Sequence, residues 1–187
     1  MNREFMKIEQ TSINDVVIIT PDVFTDDRGV FFESFNADKF AALGLPTVFN
    51  QDNQSSSIAG VLRGLHFQLP PKAMGKLVRC SRGRIFDVAV DLRKNSSTYK
   101  QWFGLELSAT DNKMLWLPPG IAHGFYALTD CDVIYKCTET YDKAGDGNVA
   151  WNDPAFNVAW PLIDGQAPLL SPRDAAAPAF SSLDLPF

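Results

Sequence analysis

Short β-type runs separated by turn residues are the feature that most constrains how this chain can fold. The run RIFDVAVDL (84–92) alternates cleanly, with Phe86 and Val88 on one face and Asp87 and Ala89 on the other. Gly, Pro, Asn and Asp punctuate a long series of such runs, and little of the chain has a helical pattern. This pattern predicts an all-β sandwich or barrel. The runs are at 16–20, 29–35, 47–53, 61–68, 76–92, 101–108, 114–118, 123–128, 133–141 and 148–152.

Turns and short helices complete this outline. In SRGR (81–84), Gly83 can supply the positive φ of a hairpin turn. Asn36 can cap a helix over 37–43, and Gly44 can end it. The segment DAAAP (174–178) predicts one further helical turn. We expect one domain over residues 1–187, with a Pro-rich tail at about 178–187.

Composition excludes several functional classes. The net charge is −5, which argues against a nucleic-acid binder driven by bulk charge. Cys80, Cys131 and Cys137 have no CxxC spacing, so a disulfide framework and a thiolate zinc site are both disfavoured. No run approaches the ~20 apolar residues of a membrane span, and the first ten residues lack a signal-peptide core. We therefore expect a soluble, cytoplasmic protein.

The run GVLRGLHFQ (60–68) raises a chemical question. Its apolar residues predict a buried strand, yet it carries Arg63 and His66, and an unpaired buried charge is costly. A regular strand would place these two side chains on opposite faces, but Gly64 between them can mark a bulge that re-aims one. A structural histidine and a functional one both remain open for His66, and the same holds for His123.

The run VIYKCTETY (133–141) places two phenols on one face by period 2. Tyr135 and Tyr141 would then lie roughly 20 Å apart along an extended strand, a span that suits a long ligand in a barrel. Ordinary sandwich tyrosines with their hydroxyls at the rim are the alternative. A metal site is disfavoured because the chain has two histidines, far apart in sequence, where such sites need three or more converging ligands.

Several segments together carry a resemblance to one family. DDRGVFFESFN, QDNQSS, GVLRGLHFQ, LWLPPGIAHGFYAL, VIYKCTETY and SPRDAAAP follow one another in the expected order. Over about residues 16–178 the chain resembles the dTDP-4-dehydrorhamnose 3,5-epimerases. The resemblance implies a cupin-like jelly roll, a homodimer, and epimerisation of dTDP-4-dehydro-6-deoxy-D-glucose at C3 and C5 without metal or coenzyme. The product would be dTDP-4-dehydro-L-rhamnose, an intermediate of dTDP-L-rhamnose synthesis.

The resemblance also implies residue roles. His66 would be the catalytic base, Asp174 its partner, Tyr135 the opposing acid and Lys76 the cation beside the sugar ketone. Tyr141 would stack on the thymine. The remaining implied ligand contacts are Arg28, Glu33 and Arg63 at the diphosphate, Gln51 and Asn53 at the nucleotide, and His123, Asp146 and Arg173 elsewhere, with Asp146 standing where the family commonly has Glu.

Three alternatives remain open at this point. An epimerase acting at C3 only or at C5 only would carry the same acid–base pair, so the motifs do not separate it from a 3,5-epimerase. A nucleotide-sugar-binding module without catalysis is disfavoured because His66 and Tyr135 are both retained. A metal-dependent cupin would require ligands beyond the two histidines.

Overall fold

Two antiparallel sheets make up most of the computed structural model, which describes residues 6–187. The six-stranded sheet has the order β1 (Met6–Gln10), β2 (Val17–Pro21), β10 (Met114–Leu117), β7 (Lys76–Arg82), β12 (Cys131–Cys137) and β5 (Gln51–Ser57). The five-stranded sheet has the order β13 (Asp146–Asn148), β6 (Leu62–Gln68), β11 (Ile121–Ala127), β8 (Arg84–Asp91) and β9 (Trp102–Ser108). The predicted all-β, cupin-like jelly roll is confirmed.

The remaining elements are small. Strands β3 (Phe24–Asp26) and β4 (Gly29–Phe31) form a separate two-stranded hairpin. The helices are α1 (Ala37–Ala42) and α2 (Pro172–Ala175), with 3₁₀ turns at Ile163–Gly165 and Phe180–Ser182. None of the helices in the described residues is long and apolar enough to cross a membrane.

Both faces of β8 are buried, and each packs in a different layer. Ile85 and Ala89 lie in the core between the two sheets. Val88 and Val90 face the other way, where the C-terminal segment covers them with Phe180. Each fully buried Val or Ile side chain here contributes about 1.5–3 kcal/mol to folding. The predicted division of RIFDVAVDL into two faces is thus confirmed, and the segment beyond 178 packs onto the sheet.

Local sequence signals account for the turns. Gly83 has a φ of 76° in the β7–β8 hairpin, and a Cβ there would lie 2.0 Å from the carbonyl oxygen of Asp130. Asn36 caps α1 by accepting a hydrogen bond from the backbone N–H of Lys39, as predicted. Helix α2 begins earlier than predicted because Ser171 caps it and Pro172 occupies its first position.

Several predicted strand boundaries were wrong. Strand β5 begins at Gln51 rather than 47 and continues through a polar segment to Ser57. The run 29–35 is extended only to Phe31, and the last strand lies at Asp146–Asn148 rather than 148–152. Strand β1 was not predicted. Strand β12 ends at Cys137, so Tyr141 lies beyond it and does not share a continuous strand face with Tyr135.

Candidate active site

A bulge in β6 brings Arg63 and His66 to the same region. His123 on β11 pairs with His66 on β6, and Phe125 pairs with Arg63. Two steps along β11 therefore correspond to three steps along β6. The extra residue on β6 is the bulge that Gly64 predicted. Gly64 has a φ of 137°, and a Cβ there would lie 2.5 Å from the Cα of Gly124. Only glycine therefore permits this close approach of the two strands.

One cavity, which we call the Tyr135 cavity, brings residues of both sheets together. Its volume is about 150 Å³, and both sheets contribute to its wall. It brings together eight of the predicted site residues from five strands and two flanking segments. The lining consists of Gln51, Asn53, His66, Phe67, Gln68, Met74, Lys76, Tyr135, Tyr141, Asp146 and Arg173.

A second cavity, the Arg63 cavity, lies beside the first. Its volume is about 390 Å³, and it is lined by Val61, Leu62, Arg63, His66, Leu169, Leu170, Ser171, Arg173 and Asp174. His66 and Arg173 line both cavities, so they stand at the boundary between them. Arg63 donates to the hydroxyl of Ser57 (3.0 Å) and to the carbonyl of Ser56 (3.1 Å). Arg63 is exposed to solvent at this wall, so no uncompensated charge is buried there.

His66 is joined to a buried carboxylate. Its Nε2 lies 2.6 Å from Oδ1 of Asp174, and Ser171 donates to Oδ2 of the same carboxylate at 2.9 Å. Burial alone would raise the pKa of Asp174, but the bonds to His66 and Ser171 outweigh it and lower the pKa below its usual value. Asp174 therefore stays ionised and fixes the orientation of the imidazole through Nε2.

Lys76 and Tyr135 face His66 from the opposite sheet. They lie on neighbouring strands, with the Lys76 ammonium 5.8 Å from the centroid of the Tyr135 ring. Burial lowers the pKa of Lys76, although the nearby Cys137, Asp146 and Asp87 partly oppose the shift. Burial raises the pKa of Tyr135, so its phenol keeps its proton at neutral pH. The cavity thus holds a histidine, a lysine amine and a protonated hydroxyl.

Polar contacts join the remaining lining residues at the mouth. Gln51 donates to Asn53 (3.0 Å) and accepts from the backbone N–H of Tyr141 (2.7 Å). Asp146 accepts from the Tyr141 hydroxyl at 3.1 Å and from Arg173 at 2.8 Å. Tyr141 therefore reaches the cavity from the segment after β12, through a turn rather than along the strand.

Three predicted contact residues lie outside the linings of both cavities in the described part of the chain. Arg28 lies in the exposed β3–β4 hairpin and pairs with Asp26 at 2.6 Å. Glu33 pairs with Lys39 of α1. His123 is buried and bonds to Asp87 at 2.8 Å, and burial lowers its pKa despite that carboxylate. His123 is thus absent from both linings, and the expectation that it faces the ligand stays a prediction.

Sequence reasoning missed several residues of this site. Phe67 and Gln68 line the cavity and belong to the run GVLRGLHFQ. Alternate residues of a strand share a face, so the position of His66 indicated that Gln68 lies on the same face. Ser171, three residues before Asp174, could have been recognised from the sequence as a helix N-cap. Met74 lies in a loop whose position no local pattern indicates. Residues 6–187 contain no group of three or more His, Cys, Asp or Glu side chains placed to hold a metal ion.

Comparisons with known proteins show the family of this chain. The family model described as dTDP-4-dehydrorhamnose 3,5-epimerase matches residues 10–182. The enzyme of that name from Salmonella typhimurium is 50% identical over 175 residues, which cover 92% of this chain and 94% of that protein.

Solved structures extend the comparison. A dTDP-6-deoxy-D-glucose-3,5-epimerase from Legionella pneumophila, in complex with dTDP-4-keto-L-rhamnose, superposes with a TM-score of 0.91 at 44% identity, covering 96% of this chain and 95% of that one. A 3'-monoepimerase from Streptomyces bikiniensis, in complex with dTDP-quinovose, has a TM-score of 0.85 at 34% identity, covering 91% and 86%. The chain belongs to the dTDP-4-dehydrorhamnose 3,5-epimerase family.

Proposed function

We propose that the protein epimerises dTDP-4-dehydro-6-deoxy-D-glucose at C3 and C5, giving dTDP-4-dehydro-L-rhamnose for dTDP-L-rhamnose synthesis. The observation that carries the proposal is the Tyr135 cavity, where His66, Lys76 and Tyr135 converge from facing sheets. A buried carboxylate holds His66 at 2.6 Å. These are the groups that proton exchange next to a ketone requires.

The C4 ketone of the substrate acidifies the hydrogens on C3 and C5. His66 takes one of these protons, and the electron pair of the broken C–H bond moves through the carbonyl to leave an enolate oxygen at C4. The Lys76 ammonium stabilises that negative charge. The Tyr135 hydroxyl then gives a proton to the opposite face of the carbon, which inverts its configuration.

The same groups serve both carbons if the sugar shifts between the two steps. Each step removes one proton and returns one, so the reaction is redox-neutral and needs no coenzyme. Asp174 supports the base because its ionised carboxylate stabilises the imidazolium formed when His66 is protonated. Tyr135 suits the acid role because its raised pKa keeps the phenol protonated until the enolate forms.

The substrate's nucleotide would extend from the sugar over the mouth of the cavity. Arg63 and Arg173 offer guanidinium groups to the diphosphate, and such groups bind phosphate oxygens in bidentate geometry. Tyr141 offers a ring face to the thymine, with Gln51 and Asn53 as polar contacts beside it. Free, buried cysteines throughout the chain suit the reducing cytoplasm, where we place the enzyme.

A second copy of the chain would complete the site. Arg28 and Glu33 stand on or just after a hairpin whose Val30 and Phe31 are 61% and 67% exposed, an apolar surface that suits burial against another subunit. Exchange of the hairpin in a homodimer would bring Arg28 to the neighbouring diphosphate.

Mixing inactive His66→Ala and Arg28→Ala subunits in equal amounts tests this exchange. About half of the dimers should be mixed, and each mixed dimer contains one intact site, so about a quarter of all sites should become active. Absence of any recovery would contradict a shared site.

Deuterium incorporation tests the reaction directly. Incubation with dTDP-4-dehydro-6-deoxy-D-glucose in D₂O should introduce deuterium at C3 and C5, detected by NMR together with the rhamno product. Deuterium at one carbon alone would identify a monoepimerase like the relative from Streptomyces bikiniensis. Binding with no exchange at either carbon would contradict the proposed function, and His66→Ala supplies the inactive control.

A further inference from the structure

The last residue of the RGLHFQ motif has no part in the chemistry described above. Gln68 lies two residues beyond His66 on β6 and lines the Tyr135 cavity. Gln68 is only 5% exposed, and a buried side-chain amide needs hydrogen-bond partners. The identity of those partners points to its role.

All three partners of Gln68 are backbone groups of two segments at the cavity mouth. Its Nε2 donates to the carbonyl of Lys72 at 2.6 Å and to the carbonyl of Thr140 at 3.1 Å. Its Oε1 accepts from the N–H of Asp142 at 2.9 Å. Two acceptors on one side and a donor on the other fix the amide orientation. Methionine offers none of these groups, and glutamate lacks the donors.

Tyr141 lies between the two residues that Gln68 holds after β12. Its own N–H donates to Gln51 at 2.7 Å, and its hydroxyl donates to Asp146 at 3.1 Å. Yet the residue is 55% exposed. The backbone on both sides is therefore fixed while much of the residue stays exposed, an arrangement that suits a preorganised stacking surface.

We propose that Gln68 is a positioning residue for the nucleobase: its amide fixes the segment 140–142 so that Tyr141 is held ready to stack on the thymine. The inference rests on the proposed function, which assigns Tyr141 to the nucleobase. Without this amide the loop must be ordered at the moment of binding, and that entropy weakens affinity. The reacting groups His66, Lys76 and Tyr135 make none of the three bonds.

Binding of two probes to Gln68→Met tests the proposal by calorimetry. Affinity for dTDP should fall at least about tenfold, because the loop that carries Tyr141 loses its anchors. Affinity for inorganic pyrophosphate should change less than about twofold, because that probe has no base to stack. At saturating substrate, kcat should stay within about threefold while KM rises. Gln166→Met, at an exposed glutamine, is the matched control and should leave both affinities unchanged.

A double-mutant cycle with Tyr141→Ala separates this role from a general structural one. If Gln68 acts through Tyr141, the effect of Gln68→Met on dTDP affinity disappears in the Tyr141→Ala background. Additive losses would overturn the proposal, as would normal dTDP affinity in Gln68→Met. If Gln68→Met does not fold, Gln68→Glu keeps the acceptor for Asp142 and should show the same selective loss.

The cycle also distinguishes this inference from the proposed function. If Tyr141→Ala itself leaves dTDP affinity unchanged, the assignment of Tyr141 to the thymine fails, and the role of Gln68 fails with it. If Tyr141→Ala weakens dTDP binding but Gln68→Met does not, the role of Gln68 alone is overturned. The wild-type protein binding dTDP more tightly than pyrophosphate supports both.

Discussion

Two histidine–aspartate pairs lie side by side in this barrel, and their difference indicates which surroundings suit a catalytic base. His66 on β6 and His123 on β11 are direct register partners. Each presents Nε2 to a carboxylate, at 2.6 Å from Asp174 and 2.8 Å from Asp87. In bond type and geometry the two pairs are nearly the same.

Their surroundings differ. The side chain of His66 is 28% exposed and lines both cavities, whereas that of His123 is 8% exposed and belongs to neither lining. The second oxygen of Asp174 accepts from Ser171, while Oδ2 of Asp87 has no hydrogen-bond partner within residues 6–187. Its exposure to both cavities and its fully bonded carboxylate therefore favour His66 as the proposed base. The His123 pair is a buried polar contact between strands.

The largest expected effect separates the two histidines. His66→Asn removes the base, and loss of general-base catalysis lowers kcat by about 10³–10⁴-fold. His123→Asn should lower kcat less than about tenfold, because its ring lies outside both cavities. C–H exchange in D₂O measures both. Equal losses in the two variants would mean that His123 also reaches the substrate.

The two carboxylates should differ by a smaller factor. Asp174→Asn keeps the shape but removes the charge that orients His66 and stabilises its imidazolium, so kcat should fall about 10²-fold. Asp87→Asn should change kcat less than about fivefold, because its partner is not the base. Steady-state kinetics on the pair at one pH gives the comparison. A larger loss in Asp87→Asn would contradict the assignment of the catalytic pair.

The pH profile sharpens the role of the cation. Burial lowers the pKa of Lys76, so this ammonium loses its proton at a lower pH than an ordinary lysine does. The apparent pKa of the basic limb in the pH profile of kcat/KM should therefore lie below the ordinary lysine pKa of about 10.4. Lys76→Arg should move this limb upward because arginine keeps its charge, with activity about tenfold lower at neutral pH. An unmoved limb would assign it to another group.

Much of the fold could be predicted because its strands have apolar faces. The alternation in β8, the glycine of the β7–β8 hairpin and the cap of α1 each signal one structure locally. Strand β5 was misplaced because its sequence, QDNQSSS, has no apolar face to detect. Gln51 and Asn53 of this strand line the polar Tyr135 cavity rather than an apolar core, so the strand lacks the usual apolar face.

The site was predictable only in part. The bulge at Gly64 could be inferred from a glycine between two polar residues in an apolar run. The position of Tyr141 could not, since β12 ends at Cys137 and the chain then turns back toward Gln51. The pairing of His66 with Asp174 joins residues 108 apart in sequence, which the resemblance implied and no local periodicity could indicate.

The smallest expected effect concerns the hydroxyl that distinguishes the two carboxylates. Ser171 caps α2 through the N–H of Asp174 and donates to Oδ2 of its carboxylate. Ser171→Ala removes both bonds, so the free energy of unfolding should fall by about 1 kcal/mol and the pKa of Asp174 should rise. A less firmly held carboxylate orients His66 less well, and kcat should fall about three- to fivefold.

Ser171→Thr keeps the hydroxyl and should restore both the stability and most of the activity, which thermal unfolding and steady-state kinetics measure together. Restored stability without restored kcat would show that Ser171 acts on the helix alone. In that case exposure, rather than the bonding of the second oxygen, would be what separates the catalytic pair from the buried one.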